Sequence, residues 1–116
     1  MLTSSAKAKG RRLVTWFKHE ILERFGGLLG SDDLSVTSSG STGEDLGLSV
    51  AARRLLPYQI ESKNRRSIGI YRDFAQAASH GDFEPVLLIR QDRSEPLIVI
   101  RATHFLDLLK QKQTKD

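Results

Sequence analysis

The amino-terminal part of the chain has the hydrophobic pattern of an amphipathic helix. Apolar residues recur every three or four positions between Ser5 and Phe25, which places them on one face of a helix. These residues are Leu13, Val14, Phe17, Ile21 and Phe25. Gly26 and Gly27 follow directly and predict the end of the helix, since glycine readily adopts the backbone conformations found there.

The next part of the chain is polar and favours only short elements. Ser31 to Gly43 is rich in Ser, Thr, Gly and Asp, and only Leu34 to Val36 alternates, which predicts a short strand opening into a polar loop. Leu48 to Leu56 favours a short helix with Ser49 as its cap. Pro57 must end this helix, because proline restricts the residue before it and has no amide hydrogen.

The second half of the chain alternates strand and helix patterns. A strand is predicted from Tyr58 to about Asn64, and a helix from Ser67 to Ser79. Val86 to Ile89 and Leu97 to Ile100 are short apolar runs with a turn between them, which predicts a hairpin or a close pair. A last helix is predicted from about Thr103 to Gln111. Its apolar residues, expected to face inward, are Phe105, Leu106, Leu108 and Leu109.

This order of elements predicts an α/β fold in which helices flank a mixed β-sheet. A chain of 116 residues suits one domain, here residues 1–116. It contains no cysteine, which excludes disulfides and thiolate metal sites. Neither a secretory signal nor an apolar run of roughly 20 residues is evident, so we expect a soluble cytoplasmic protein without a membrane partner.

The charge balance favours an anionic partner. Lys and Arg outnumber Asp and Glu by 18 to 14, giving a net charge of +4. The basic residues are clustered at the amino terminus, around Arg53 and Arg54, and directly after residue 62. A solvated face explains any one of these clusters about as well as a binding surface does.

Candidate chemistry lies in the strand that contains Glu61 and Lys63. Residues two apart on a strand point to the same face, about 6 to 7 Å apart along the backbone. An acid and a lysine so spaced are common by chance, and an ion pair on an exposed strand would explain them. Asp45, sixteen positions earlier, leaves a Gly-containing turn and enters an apolar segment, where it is placed to join Glu61 as a metal ligand.

These residue types suit metal-assisted phosphodiester hydrolysis. Magnesium prefers hard oxygen ligands and uses one or two protein carboxylates, while Lys63 could orient water and offset charge on the phosphate. Glu44 is an available substitute ligand, but the alternation of Leu46 and Leu48 favours Asp45. Asp45 could also be an ordinary turn or capping residue.

These stretches resemble the PD-(D/E)xK nuclease superfamily, in particular its small phage-encoded endonucleases and Holliday-junction-resolvase-like members. The resemblance is carried by Ser41-Thr42-Gly43-Glu44-Asp45-Leu46 and Ile60-Glu61-Ser62-Lys63-Asn64, and extends to Lys9-Gly10-Arg11-Arg12 and His104-Phe105-Leu106. It implies a restriction-endonuclease-like core, Mg²⁺ or Mn²⁺ dependence, and endonuclease action on DNA, with branched DNA as a candidate substrate. It also implies that the Ser62 backbone carbonyl binds the metal.

The chain departs from the superfamily pattern at two positions. Glu44 replaces the proline that names the motif, and Val14 occupies the place of an acid in the first helix of related resolvases. Helix geometry offers Glu20 as a replacement catalytic acid, although an i,i+4 pair with Arg24 is the somewhat better explanation. Gln76 is a weaker candidate for the site and could equally be a solvated helix residue.

Several basic and polar residues are candidates for DNA contacts. The segment that leaves the catalytic strand would reach adjacent phosphates, and the basic first helix adds further cations. These residues are Lys9, Arg11, Arg12, Asn64, Arg65 and Arg66. Trp16 is expected in the core, and the three histidines, His19, His80 and His104, are expected to be structural or exposed.

Two other function classes remain open at this point. The same fold and basic surface would serve a nucleic-acid-binding module without catalysis, or an interaction protein that pairs subunits through an apolar surface. A homodimer is expected of a nuclease that cuts both strands symmetrically.

Overall fold

The computed structural model describes residues 4–37 and 44–114. Four helices and five strands lie within these residues. Their order along the chain is α1 (Ser4–Phe25), β1 (Leu34–Val36), β2 (Leu46–Leu48), α2 (Val50–Leu55), β3 (Tyr58–Asn64), α3 (Ile70–Ala78), β4 (Glu84–Arg90), β5 (Leu97–Val99) and α4 (Ala102–Thr114). A single turn of 3-10 helix, Ser31–Asp33, precedes β1. Residues 38–43 of the predicted polar loop lie outside the described residues.

The main sheet is mixed and has the strand order β3-β4-β5. Strands β3 and β4 are parallel, in register from the pair Tyr58 and Glu84 to the pair Asn64 and Arg90. Strand β5 is antiparallel to β4, with Leu88 opposite Ile98, which confirms the predicted close pair. The prediction of an α/β fold with a mixed sheet flanked by helices is therefore confirmed.

Strands β1 and β2 form a separate antiparallel ribbon beside this sheet. Their register pairs Leu34 with Leu48 and Val36 with Leu46. The buried side chains Leu34 and Leu46 fill the space between the ribbon and the sheet, so the ribbon shares the main core. It also brings the start of β2 to the sheet, where the candidate acid Asp45 lies.

Helix α1 covers one face of the sheet. Its predicted apolar face is confirmed: Leu13, Val14 and Ile21 are buried, and Phe17 and Phe25 pack against them. They meet side chains that alternate along the strands, as the two-residue period of a strand requires. These are Ile60 of β3 and Val86 and Leu88 of β4.

Helix α3 is attached to β3 on the side of Gln59 and Glu61. The Gln59 side chain, itself buried, donates to the carbonyls of Ala77 (2.8 Å), Ala78 and Gly81 and accepts from the Phe83 amide (3.1 Å). These bonds satisfy backbone groups at the helix end, which helices leave without intrahelical partners. They fix the position of the segment that contains His80.

Helices α2 and α3 refine the predicted boundaries. Ser49 caps α2 as predicted, because its Oγ accepts from the Ala52 amide at 3.1 Å. Helix α3 begins at Ile70 rather than Ser67. The Arg65 amide still donates to the Arg90 carbonyl at 3.1 Å, so the chain remains tied to β4 one residue past β3 and turns only afterwards.

The prediction that α4 buries its apolar side chains is wrong. Phe105, Leu106, Leu108 and Leu109 are all exposed, with fractions from 38 to 61%. An open apolar pocket of about 210 Å³ lies between α1, the sheet and α4, with Phe17, Ile98 and Leu108 among its lining residues, so α4 does not close over this face. It is held mainly near its start, where the Tyr58 hydroxyl and His104 Nε2 are hydrogen-bonded at 2.7 Å.

Within residues 4–37 and 44–114, none of the helices combines the length and the apolar character needed to cross a membrane.

Candidate active site

Asp45 lies against the edge of β3 that faces away from β4. Its amide donates to the Ile60 carbonyl at 2.9 Å, and its Oδ2 accepts from the Ser62 amide at 2.7 Å. The end of β1 holds the same point, since the amide and hydroxyl of Thr37 both donate to the Asp45 carbonyl, at 3.1 and 3.0 Å. Asp45 is therefore fixed from both sides.

Glu61 and Lys63 project from the neighbouring face of the same strand. Glu61 is only 4% exposed, and its Oε2 lies 3.2 Å from Lys63 Nζ. Its other oxygen, Oε1, is hydrogen-bonded to His80 Nε2 at 2.7 Å. Both carboxylate oxygens of Glu61 thus have a partner. The ion pair holds the Lys63 ammonium beside the Glu61 carboxylate.

The surroundings of Asp45 raise the pKa of its carboxyl. The pKa of the Asp45 carboxyl is raised to about 6, chiefly by burial and also by the nearby Glu61, while the Ser62 amide and Lys63 act in the lowering direction. A buried carboxyl with a pKa raised in this way is costly to ionise in the folded protein, and such groups are frequent at functional sites. A divalent cation bound by Asp45 and Glu61 would offset this cost.

The donor atoms fit Mg²⁺ or Mn²⁺ in chemical type. On a β-strand the amide and carbonyl of one residue point to the same edge, so the Ser62 carbonyl leaves β3 on the side where its amide meets Asp45. Two carboxylates and one carbonyl are hard oxygen donors, and magnesium usually keeps water in its other positions. No group of three or more His, Cys, Asp or Glu side chains forms a metal site among the described residues, so any metal here depends on two acids.

Glu44 has a different role from Asp45. Its two carboxylate oxygens accept from Arg53 Nη1 and Nη2 at 2.8 and 2.7 Å. The guanidinium also donates to the Tyr58 carbonyl and lies over the Phe83 ring, 4.5 Å from its centroid. Glu44 thus ties the ribbon to α2 and the start of β3, and Asp45 is the acid left for the site.

Two of the sequence candidates are not brought into the site. Glu20 accepts from Arg24 at 3.1 Å, the i,i+4 alternative considered above. Gln76 is exposed on α3. In the part of the chain that the structure describes, neither side chain hydrogen-bonds to Asp45, Glu61 or Lys63.

The residues predicted to contact DNA differ in their exposure and in their partners within the protein. Arg11, Arg12 and Arg66 are exposed. Lys9 pairs with Asp92, and its carbonyl accepts from Asn64 Nδ2 at 2.8 Å, so the first helix is attached to the end of β3. Arg65 is exposed, and its Nη2 lies 3.9 Å from the carboxylate of buried Asp73.

Sequence reasoning missed two residues. His80 contacts Glu61, a pairing that histidine spacing could not reveal because the β3-α3-β4 crossover creates it. Trp16 is 42% exposed, so the expectation that it belongs to the core is wrong. At about 100° per residue, Trp16 points roughly 120° away from the centre of the face formed by Leu13, Val14 and Ile21, which helical geometry could have shown.

Comparison with known protein families, with curated proteins and with solved structures finds no match to this chain.

Proposed function

We propose that the protein is a metal-dependent DNA endonuclease of the PD-(D/E)xK type with a restriction-endonuclease-like core. One observation carries the proposal: Asp45, from one part of the sequence, meets Glu61 and Lys63, from another, around Ser62. The sequence indicates these residues by their type, their spacing and the superfamily resemblance, without any knowledge of the fold. Their convergence on one buried point would be a coincidence if they served only as surface charges.

In this proposal Asp45, Glu61 and the Ser62 carbonyl hold Mg²⁺ or Mn²⁺. The metal supplies Lewis acidity toward the scissile phosphate and lowers the pKa of a bound water. Lys63 orients the attacking water and offsets the charge that develops on the phosphate as the phosphodiester P–O bond breaks. The ion pair with Glu61 keeps the Lys63 ammonium in place for this role.

DNA is the proposed substrate, and exposed cations support this choice. Arg11 and Arg12 on α1 and Arg65 and Arg66 after β3 lie on the two segments that Asn64 joins. Contacts from such residues to phosphates add affinity without reading bases, which suits an enzyme that recognises branched DNA. This chemistry would take place inside a cell, including a host cell infected by phage.

We propose that the active form is a homodimer. Helix α4 and strand β5 each expose large apolar side chains, and extensive exposed apolar surface often marks an interaction site. These residues are Leu97, Ile98, Phe105, Leu106 and Leu109. Light scattering should give the mass of two chains for the wild type and of one chain for a Leu106→Asp variant, and a wild-type mass of one chain would refute the dimer.

The nuclease proposal is tested by incubating the protein with branched, nicked and linear DNA in Mg²⁺ and in EDTA. We expect cleavage of branched DNA that requires the metal and is lost in Lys63→Ala and Glu61→Gln. Glu23→Gln, a change of an exposed acid on α1, is the control. Absence of cleavage by the wild-type protein, or undiminished cleavage by Lys63→Ala, would refute the proposal. DNA binding that persists in EDTA without any cleavage would favour a non-catalytic binding module.

A further inference from the structure

An open groove runs along the outer side of α1. Its volume is about 720 Å³, and it is lined mainly by Arg11, Arg12, Thr15, Trp16, His19 and Val36. Trp16 is the only tryptophan of the chain. No acidic side chain lines the groove among the described residues.

The indole of Trp16 is held in a defined orientation. The adjacent Phe17 ring is nearly parallel to it, with an interplanar angle of 28° and a centroid distance of 6.3 Å. Phe17 packs against the core, so it anchors the indole while much of the indole stays exposed. An exposed, oriented aromatic ring is a platform on which another flat ring can stack.

The charges of the groove select the kind of flat ring. Arg11 and Arg12 are both exposed and line the same groove as the indole. A planar ring attached to an anionic backbone satisfies both features, which is the combination that single-stranded nucleic acid offers. A second copy of the same groove would bring like charges together.

The groove also adjoins the candidate active site. Val36, at one end, pairs with Leu46 directly after Asp45, and the next residue, Thr37, donates to the Asp45 carbonyl. Farther along α1, the Lys9 carbonyl accepts from Asn64, which follows Lys63. DNA lying in the groove would therefore reach the edge of β3 that holds Asp45.

We propose that this groove binds unpaired nucleotides of DNA, with a base stacked on Trp16 and its phosphates on Arg11 and Arg12. Bases inside a duplex have both faces covered by their neighbours, so only a strand with unpaired bases can use the indole. The inference extends the proposed nuclease function by naming its substrate class: DNA with a single-stranded flap, end or open branch point.

Fluorescence of the single tryptophan tests the inference without any cleavage. Wild-type protein in EDTA is titrated with an oligothymidylate of roughly ten nucleotides and, separately, with a blunt duplex of the same length. We expect saturable quenching by the single strand and much weaker quenching by the duplex. Trp16→Ala should lower the affinity for the single strand about tenfold, measured by fluorescence anisotropy of labelled DNA. The affinity of Trp16→Ala for the duplex should differ from that of the wild type by less than twofold.

Two variants control for loss of structure. Trp16→Phe keeps an aromatic ring and should retain most of the single-strand affinity, whereas Leu28→Ala, a truncation of another exposed apolar side chain, should change neither affinity. Wild-type fluorescence that is unaffected by the oligothymidylate, or equal losses of single-strand and duplex affinity in Trp16→Ala, would overturn the inference. A response to anionic phosphatidylserine vesicles but not to DNA would also overturn it.

The outcome is separable from that of the nuclease proposal. If single-stranded DNA quenches the Trp16 fluorescence but no DNA is cleaved in Mg²⁺, the proposal that the groove binds unpaired nucleotides is supported and the nuclease proposal is refuted. If the protein cleaves DNA but single-stranded DNA does not quench the Trp16 fluorescence, the nuclease proposal is supported and the proposed binding of nucleotides in the groove is refuted.

Discussion

Replacing Asp45 by asparagine should stabilise the protein at neutral pH. Burial raises the pKa of the Asp45 carboxyl from 3.8 to about 6, and the charge of Glu61 contributes to this rise. Asparagine has no charge, yet its side-chain oxygen can still accept from the Ser62 amide. The substitution therefore removes the charge penalty and keeps the hydrogen bond.

The size of the effect follows from proton linkage. A rise from 3.8 to about 6 corresponds to about 3 kcal/mol. Asp45 is partly exposed, and solvent screening reduces this to about 1 to 2 kcal/mol. Because the raised pKa belongs to the folded state, that state binds the proton more tightly than the unfolded chain does. The wild-type free energy of unfolding must therefore fall as pH rises from about 4 to about 6, and stay low above it.

Urea denaturation at pH 4 and at pH 7.5 measures this difference. We expect Asp45→Asn to exceed the wild type by about 1 to 2 kcal/mol at pH 7.5, and the advantage to shrink toward pH 4. Mn²⁺ should raise the melting temperature of the wild type and leave that of the variant nearly unchanged. Glu23→Gln serves as the control. A variant less stable than the wild type at pH 7.5 would refute the idea that the Asp45 charge is costly in the folded protein.

Three further outcomes follow from the structure. His80→Leu should weaken Mn²⁺ binding, measured by calorimetry, by about 10- to 100-fold, because His80 holds the Glu61 carboxylate that we propose as a metal ligand. His104→Leu should leave that affinity unchanged, and equal losses in both variants would contradict this role. Ser49→Ala should cost about 1 kcal/mol of unfolding free energy through the lost helix cap, whereas no measurable loss would mean that solvent replaces the cap. Leu46→Ala should cost about 2 to 5 kcal/mol in the same denaturation assay, since this side chain is fully buried; a loss below 1 kcal/mol would show that the ribbon is not part of the core.

The elements that sequence reasoning predicted well are those with a local cause. The period of Leu13, Val14 and Ile21 depends only on helix geometry, and Pro57 ends α2 whatever surrounds it. Helix α4 was misjudged because its apolar side chains fit an inward face equally well. Whether such a face is buried depends on how closely the helix packs against the sheet, which a helical pattern does not contain.

The candidate site shows the same division. The two-residue spacing of Glu61 and Lys63 places both on one face of a strand, and the structure brings them together. The meeting of Asp45 with Ser62 depends on the pairing of β1 with β2 and could be expected only from the resemblance. Neither the strand spacing nor the resemblance could predict the contact of His80 with Glu61, because α3 and the crossover to β4 create it.

The most direct test of the proposed centre is a crystal structure of the protein soaked in Mn²⁺, with the ion located by its anomalous scattering. We expect one strong peak within bonding distance of Asp45, Glu61 and the Ser62 carbonyl, and no such peak in crystals of Glu61→Gln treated in the same way. The absence of manganese from the wild-type site at millimolar concentration, or its binding only at other residues, would contradict the proposal that these acids form a metal-dependent nuclease centre.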